Sequence, residues 1–183
     1  MLARVVIISG AAGTGKTSLS KKLAENSTYD CAVYLQYDDF NDYICKGFIS
    51  PWLGDAHNQN ETVIESLAKS AKRFSQGGYE VYVDGVITPK FLAPWNKMAD
   101  EGFDVRYIVL RPNELTTISH AAKREQNICY PLEPDFVKRV WRFFSDLGKY
   151  ESHALDTSAH TLDESVALIQ KDLHENAFRL KQT

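Results

Sequence analysis

Apolar residues fall in short runs separated by longer amphipathic stretches along the whole chain. Arg4-Val5-Val6-Ile7-Ile8-Ser9 is a continuous apolar run of the kind that forms a strand buried on both faces. From Thr17 to Ala24, Leu19 and Leu23 share one helical face. Ala32 to Tyr37 predicts a second strand, and Asp38 to His57 is mixed, broken by Gly47, Pro51 and Gly54. Val63, Ile64, Leu67, Ala68, Ala71 and Phe74 then recur at helical spacing until Gly77-Gly78 stops the pattern. A strand at Glu80–Val83, a helix around Phe91–Asp100, a strand at Val105–Leu110 and a helix after Pro112 follow. Asn127 to Pro134 carries prolines and leads into a helix with Phe136, Val137, Val140, Trp141, Phe144 and Leu147 on one face. Ala154-Leu155 is a short strand, and Thr161-Leu162-Asp163-Glu164 is a capping box that opens the last helix.

Strands that alternate with helices over short connections pair in parallel and need helices on both faces. Right-handed crossovers make the sheet doubly wound. The expected fold is a three-layer α/β/α sandwich around a parallel sheet of about five strands. No repeat or linker divides the 183 residues, so a single domain, 1–183, is expected.

The connection after the first strand narrows the chemistry. Gly10-Ala11-Ala12-Gly13-Thr14-Gly15-Lys16-Thr17 matches G-x-x-x-x-G-K-[ST], the P-loop. Its glycines let the backbone curl so that successive N–H groups face phosphate oxygens. Gly10, Ala12, Gly13, Thr14, Gly15, Lys16, Thr17 and Ser18 are the candidate nucleotide contacts. Lys16 supplies positive charge to the β- and γ-phosphates and Thr17 a hydroxyl for Mg²⁺. The fold is thus a P-loop NTPase fold, with ATP and Mg²⁺ as the expected cofactors.

Composition excludes several classes. Hydrophobic residues at 44% and charged residues at 25% are ordinary for a globular chain. A net charge of −3 gives no general pull toward nucleic acid or anionic lipid. Cys31, Cys45 and Cys129 form no C-x-x-C pair and no zinc spacing, so free thiols are expected. No run is long enough to span a bilayer. The expectation is a cytoplasmic protein, monomeric or homodimeric, without nucleic-acid or membrane partners.

In doubly wound sheets ligands bind at the carboxyl ends of the strands. Strand two delivers Asp38 and Asp39. Since consecutive strands usually neighbour each other, the pair should lie beside the P-loop. Asp38 is the candidate general base for an attacking hydroxyl; Asp39 either caps the next helix or contacts substrate. Strand three delivers Asp84, placed to hold Mg²⁺ or simply to end the strand. No Glu follows it, which disfavours motor-type ATPases. Arg111 follows strand four, with His120, Lys123 and Arg124, then Arg139 and Arg142, further on. Cations around a moving γ-phosphoryl group offset its spreading charge. Arg124 is the first candidate, because it borders a segment, 123–134, that could close as a lid, and Arg142 is the second. Asp156-Thr157-Ser158 after strand five suits either an adenine contact or a plain turn. Asn96-Lys97-Met98-Ala99-Asp100 has one residue too many for the guanine-binding N-K-x-D and falls in a helix, so a GTPase switch is excluded.

A P-loop, an acidic residue closing strand two, Val83-Asp84 closing strand three and an Arg-bearing lid before a long helix together resemble the small P-loop kinases. These include the shikimate kinase, gluconate kinase, chloramphenicol phosphotransferase and nucleoside monophosphate kinase group. The resemblance implies ATP with Mg²⁺, a substrate pocket between strands two and three, Asp38 as base or acceptor contact, and Arg124 as the lid arginine. It departs at Ser119-His120, where the group often carries an Arg; His120 takes that place for adenine.

The candidate substrate region, 39–75, holds Phe40, Tyr43, Phe48 and Trp52 early on, with Lys46 the cation nearest them and Arg73 near its end. A nucleoside monophosphate needs several arginines there. A small-molecule acceptor with a free hydroxyl and some ring or apolar surface fits better; a sugar acid would need its carboxylate paired by Lys46, Arg73, Arg139 or Arg142. A nucleotide-binding regulator or ATPase without an acceptor, and a toxin-like metabolite kinase, remain as alternatives.

Overall fold

A computed structural model describes residues 2–124 and 134–180, with Lys123 and Arg124 described by backbone alone. Five parallel strands form one sheet in the order β2-β3-β1-β4-β5. They are β1 (Val5–Gly10), β2 (Ala32–Gln36), β3 (Glu80–Gly85), β4 (Val105–Leu110) and β5 (Ala154–Leu155). The three inner strands are buried along their whole length, which is why they read as continuous apolar runs.

Side chains alternate across each strand and feed two cores. Val5 and Ile7 face Leu67, Trp95 and Phe144 on one side. Val6 and Ile8 face Leu19, Leu23, Ile169 and Leu173 on the other. Helices α1 (Lys16–Glu25) and α7 (Leu162–His174) cover the second face. Helices α3 (His57–Gln76), α4 (Ala93–Asp100) and α6 (Pro134–Arg142) serve the first. The expected three layers, five strands and capping box, in which Thr161 and Glu164 cap each other, are all present.

Three expectations change. β2 ends at Gln36, and Tyr37 opens a short helix, α2 (Tyr37–Asp42), so Asp38 and Asp39 lie in its first turn rather than on a strand end. The apolar stripe from Phe136 to Leu147 is not one helix: α6 stops at Arg142, and Phe144 and Leu147 reach the core from the following turn. Helical periodicity therefore outlasted the helix. The helix placed around Phe91–Asp100 begins as a 3₁₀ turn, Pro89–Phe91, and only then becomes α4. No helix among the described residues is long and apolar enough to cross a membrane.

The sheet order also changes an argument. β3 lies between β1 and β2, so Asp38 does not reach the P-loop through adjacent strands. The chain leaves β1 toward β2 and β3 on one side and returns to β4 on the other. That reversal opens a crevice at the carboxyl end of β1, where such folds bind ligands.

Candidate active site

The P-loop joins β1 to α1 and is shaped by backbone that side chains would obstruct. Gly13 and Gly15 have φ of 85° and 86°. A Cβ on Gly13 would lie 2.5 Å from the Thr117 carbonyl oxygen and 2.9 Å from Ala121 Cβ, both on α5 (Glu114–Arg124). The loop is therefore pressed against α5 at a point only glycine allows. Gly15 serves as the N-cap of α1 without a side-chain cap, and no acid stands in the first turn. The first N–H groups of α1 and its positive dipole end face the cleft, an arrangement suited to phosphate. The Ala11 carbonyl accepts from Thr14 Oγ1 at 2.9 Å and from Lys16 Nζ at 2.8 Å, so the loop holds its own lysine beside the site.

Opposite lies a cavity of about 720 Å³ lined by Lys16 and Thr17, by Asp38 and Asp84, and by an apolar wall. Asp84 is buried at the end of β3, in register with Gln36 of β2. Its Oδ2 accepts a hydrogen bond from the Tyr34 hydroxyl at 3.0 Å. Tyr34 also lies 2.9 Å from the Gln36 side-chain oxygen. A phenol has one proton, so Tyr34 donates to one of these two oxygens at a time, while the Gln36 amide also hydrogen-bonds the Asp38 carboxylate. Burial first, then the charge of Asp84, pushes the Tyr34 pKa above its ordinary value, so Tyr34 stays a donor.

Asp38 keeps an exposed edge, but the cleft wall crowds its carboxyl. Lost hydration raises its pKa; Lys16 pulls it down and Asp84 adds to the rise. Its position is set by Tyr37, whose Cβ would be 2.5 Å from a Cβ on Gly85; the bare glycine at the end of β3 lets α2 seat directly on the sheet. Tyr37 then reaches Asn60 of α3 at 3.3 Å.

The structure thus brings Lys16, Thr17, Asp38 and Asp84 to one cleft. Asp39 and Arg142 are exposed and are not among its lining residues. Arg111 hydrogen-bonds the Phe144 carbonyl and pairs with Glu151. Arg139 stacks on Phe136. Asp156 and Ser158 bond each other, and Ser158 accepts from the Asn113 N–H, which makes that segment a turn braced on the loop before α5. The Arg124 side chain and the lid expected over 123–134, up to Pro134 at the start of α6, lie outside the described residues. Sequence reasoning found Trp52 but missed Tyr34, His57, Thr88, Phe91 and Phe143. Tyr34 alone left a trace, as a polar-tipped residue two positions before Gln36 on the same strand face. No group of three His, Cys, Asp or Glu able to hold a metal occurs among the described residues. The Thr17 hydroxyl and the Asp84 carboxylate on the cleft are oxygens of the kind Mg²⁺ takes from a protein alongside water and phosphate.

No family model and no curated protein matches the sequence. Solved structures do match in fold. The protein known as APE1195 aligns over 94% of this chain and 96% of its own, with a TM-score of 0.69 and 16% identity. The tunicamycin resistance protein of Deinococcus radiodurans aligns over 93% and 95%, with a TM-score of 0.64 and 13% identity. A gluconokinase from Sinorhizobium meliloti 1021 aligns over 95% and 97%, with a TM-score of 0.62 and 14% identity. The fold is that of the small P-loop kinases.

Proposed function

We propose that this protein is an ATP-dependent phosphotransferase that moves the γ-phosphoryl group of Mg·ATP to a hydroxyl of a small molecule. One observation carries the reading: P-loop groups, two carboxylates and an apolar wall share a single cleft. A regulator or simple ATPase has no use for the apolar wall. Similarity in fold to a gluconokinase supports the same reading.

In this reading the P-loop N–H groups and Lys16 hold the β- and γ-phosphates. Mg²⁺, held by Thr17 and Asp84, neutralises charge on those phosphate oxygens when bound. Asp38 accepts the proton of the acceptor hydroxyl as the acceptor oxygen bonds to the γ-phosphorus. The bond from that phosphorus to the β–γ bridging oxygen breaks, ADP leaves, and Asp38 releases its proton to solvent. The apolar wall limits water near the phosphorus and so favours transfer over hydrolysis.

The test is ADP release with Mg·ATP, measured alone and with a panel of hydroxylated acceptors, with γ-labelled phosphate traced into the acceptor. Release should be slow alone and rise with acceptor, and the label should appear on it. Release that ignores every acceptor, with the label found only in free phosphate, would overturn the reading.

A further inference from the structure

We propose that the acceptor is an uncharged alcohol bearing a ring or similar flat apolar body, seated against the wall that the Trp52 loop and α6 form together. The inference rests on the phosphotransferase reading above and concerns what that site selects.

The wall facing the P-loop is apolar surface left wet. Trp52, Leu53 and Phe143 are 57%, 51% and 53% exposed, and all three line the cleft. Phe91, Phe136 and Val140 complete that side. Exposed large apolar residues scattered singly need no account, but several on one concave wall mark surface that a ligand covers. A cavity of about 720 Å³ falls within the size range of sites that enclose drug-sized molecules.

The wall is also held in place. The Trp52 ring meets Phe136 edge-on, with centroids 5.0 Å apart. The loop carrying Trp52 is tied to α3: Gln59 accepts from the Ile49 N–H at 2.8 Å and donates to its carbonyl, and Asn60 donates to the Pro51 carbonyl at 2.7 Å. A wall fixed before binding loses little entropy when a ring comes to lie on it.

The charges among the described residues favour a neutral acceptor over an anionic one. A phosphate or carboxylate buried here would need the fork of an arginine. Among the described residues no arginine lines the cleft. Arg111 is paired with Glu151, and Arg139 lies over the Phe136 ring without itself lining the cleft. Beyond the P-loop lysine, the lining cation is Lys90, held over the Phe91 ring at 4.9 Å, with His57 3.4 Å from Glu61. Asp38 and Asp146 line the same cavity, so a second anion would be repelled as well as poorly paired. One neutral polar contact is on offer: Thr88 Oγ1 is buried in the wall with no partner among the described residues, which suits a second hydroxyl or a carbonyl on the acceptor.

Matched probes separate ring from charge. 1-Phenyl-1,2-ethanediol and mandelate share ring and benzylic hydroxyl, and uridine and uridine 5′-monophosphate share base and ribose 2′- and 3′-hydroxyls. Each anionic member also lacks its partner's primary hydroxyl, so 1-phenylethanol and 5′-deoxyuridine, neutral and lacking it too, are the references for charge. Sorbitol and gluconate lack the ring. Each is assayed for acceptor-dependent ADP release, and for quenching of Trp52 fluorescence in the presence of Mg·ADP against a Trp52→Phe reference. The neutral ring-bearing member of each pair should exceed its anionic counterpart about tenfold or more in kcat/KM. Trp52→Ala should raise the acceptor KM about tenfold, the usual effect of removing an aromatic anchor, with the KM for ATP unchanged and Trp52→Phe largely restored. Preference for mandelate or uridine 5′-monophosphate would overturn the proposal. So would ring-bearing alcohols that neither quench Trp52 nor turn over. In that last case, acceptor-dependent release with sorbitol or gluconate leaves the phosphotransferase reading standing, and release independent of every probe removes both.

Discussion

Two side chains at the cleft can be separated from the P-loop by experiment. Asp38→Asn should retain Mg·ATP binding and lose transfer by roughly 10²–10⁴, the range for removing a general base. Asp39→Asn, altering an exposed residue off the cleft wall, should lose far less. Because burial raises the Asp38 pKa, the acid limb of kcat/KM, which reports the free enzyme, should lie above the ordinary aspartate range. The sign for stability is opposite to that of a salt-bridged aspartate. A carboxyl whose pKa rises on folding stabilises the fold while protonated, and that contribution is lost as pH rises through the raised value. Asp38→Asn should therefore melt higher than wild type at neutral pH, with the difference closing toward about pH 4. An equal or lower Tm at neutral pH would show that Lys16 outweighs desolvation. Tyr34→Phe removes the donor on Asp84 and should raise the KM for Mg²⁺ severalfold while the fold, tested by Tm without ligand, changes little. Lys16, Thr17, Asp38 and Asp84 were legible because each sits in or beside a local pattern. Tyr34 and Phe143 were not, since only the folded chain sets Tyr34 against a residue fifty positions away.

Elements were legible where periodicity met a stop or a cap, as at Gly77-Gly78 after α3 and the capping box of α7, and illegible where packing overrode the pattern. The α6 stripe continues to Leu147 because the turn after Arg142 still faces the core, so burial and helix part company there. α2 was invisible because its apolar face is a single pair, Tyr37 and Phe40, too short a pattern in six residues to tell a helix turn from a strand end. Its seat on the sheet comes from the missing side chain at Gly85. Gly85→Ala would set a methyl 2.5 Å from Tyr37 Cβ, and the short helix must shift. The expected cost is about 1–3 kcal/mol, the usual range for overpacking. Since Asp38 follows Tyr37, transfer should fall more than Mg·ATP binding, which depends on the loop across the cleft. The pair of measurements is a denaturant midpoint and the ratio of kcat to the nucleotide-induced Tm shift. A variant with full kcat would mean that α2 does not position the base.

Across the whole molecule, the layers and strand count followed from alternation, but the order β2-β3-β1-β4-β5 did not, because neighbouring in sequence does not fix neighbouring in a parallel sheet. That order puts β1, buried on both faces, at the centre, with the P-loop emerging where the chain reverses direction across the sheet. Both cores contribute strand residues from β1, so a ligand held at its carboxyl end is coupled to the stability of the whole domain. At a concentration of about 100 times Kd, a ligand that binds only the folded state adds about 2.7 kcal/mol. For a chain of this size that corresponds to a rise in Tm of roughly 5–10 °C. Mg·ATP should produce such a rise in the wild type. Lys16→Ala should keep the ligand-free Tm within a few degrees, because the ammonium reaches a loop carbonyl rather than either core, and should lose most of the nucleotide-dependent shift. Mg·GTP at equal concentration reports on base selectivity in the same assay. Wild-type protein that no Mg·nucleoside triphosphate stabilises would remove the nucleotide site itself, and every reading built on it.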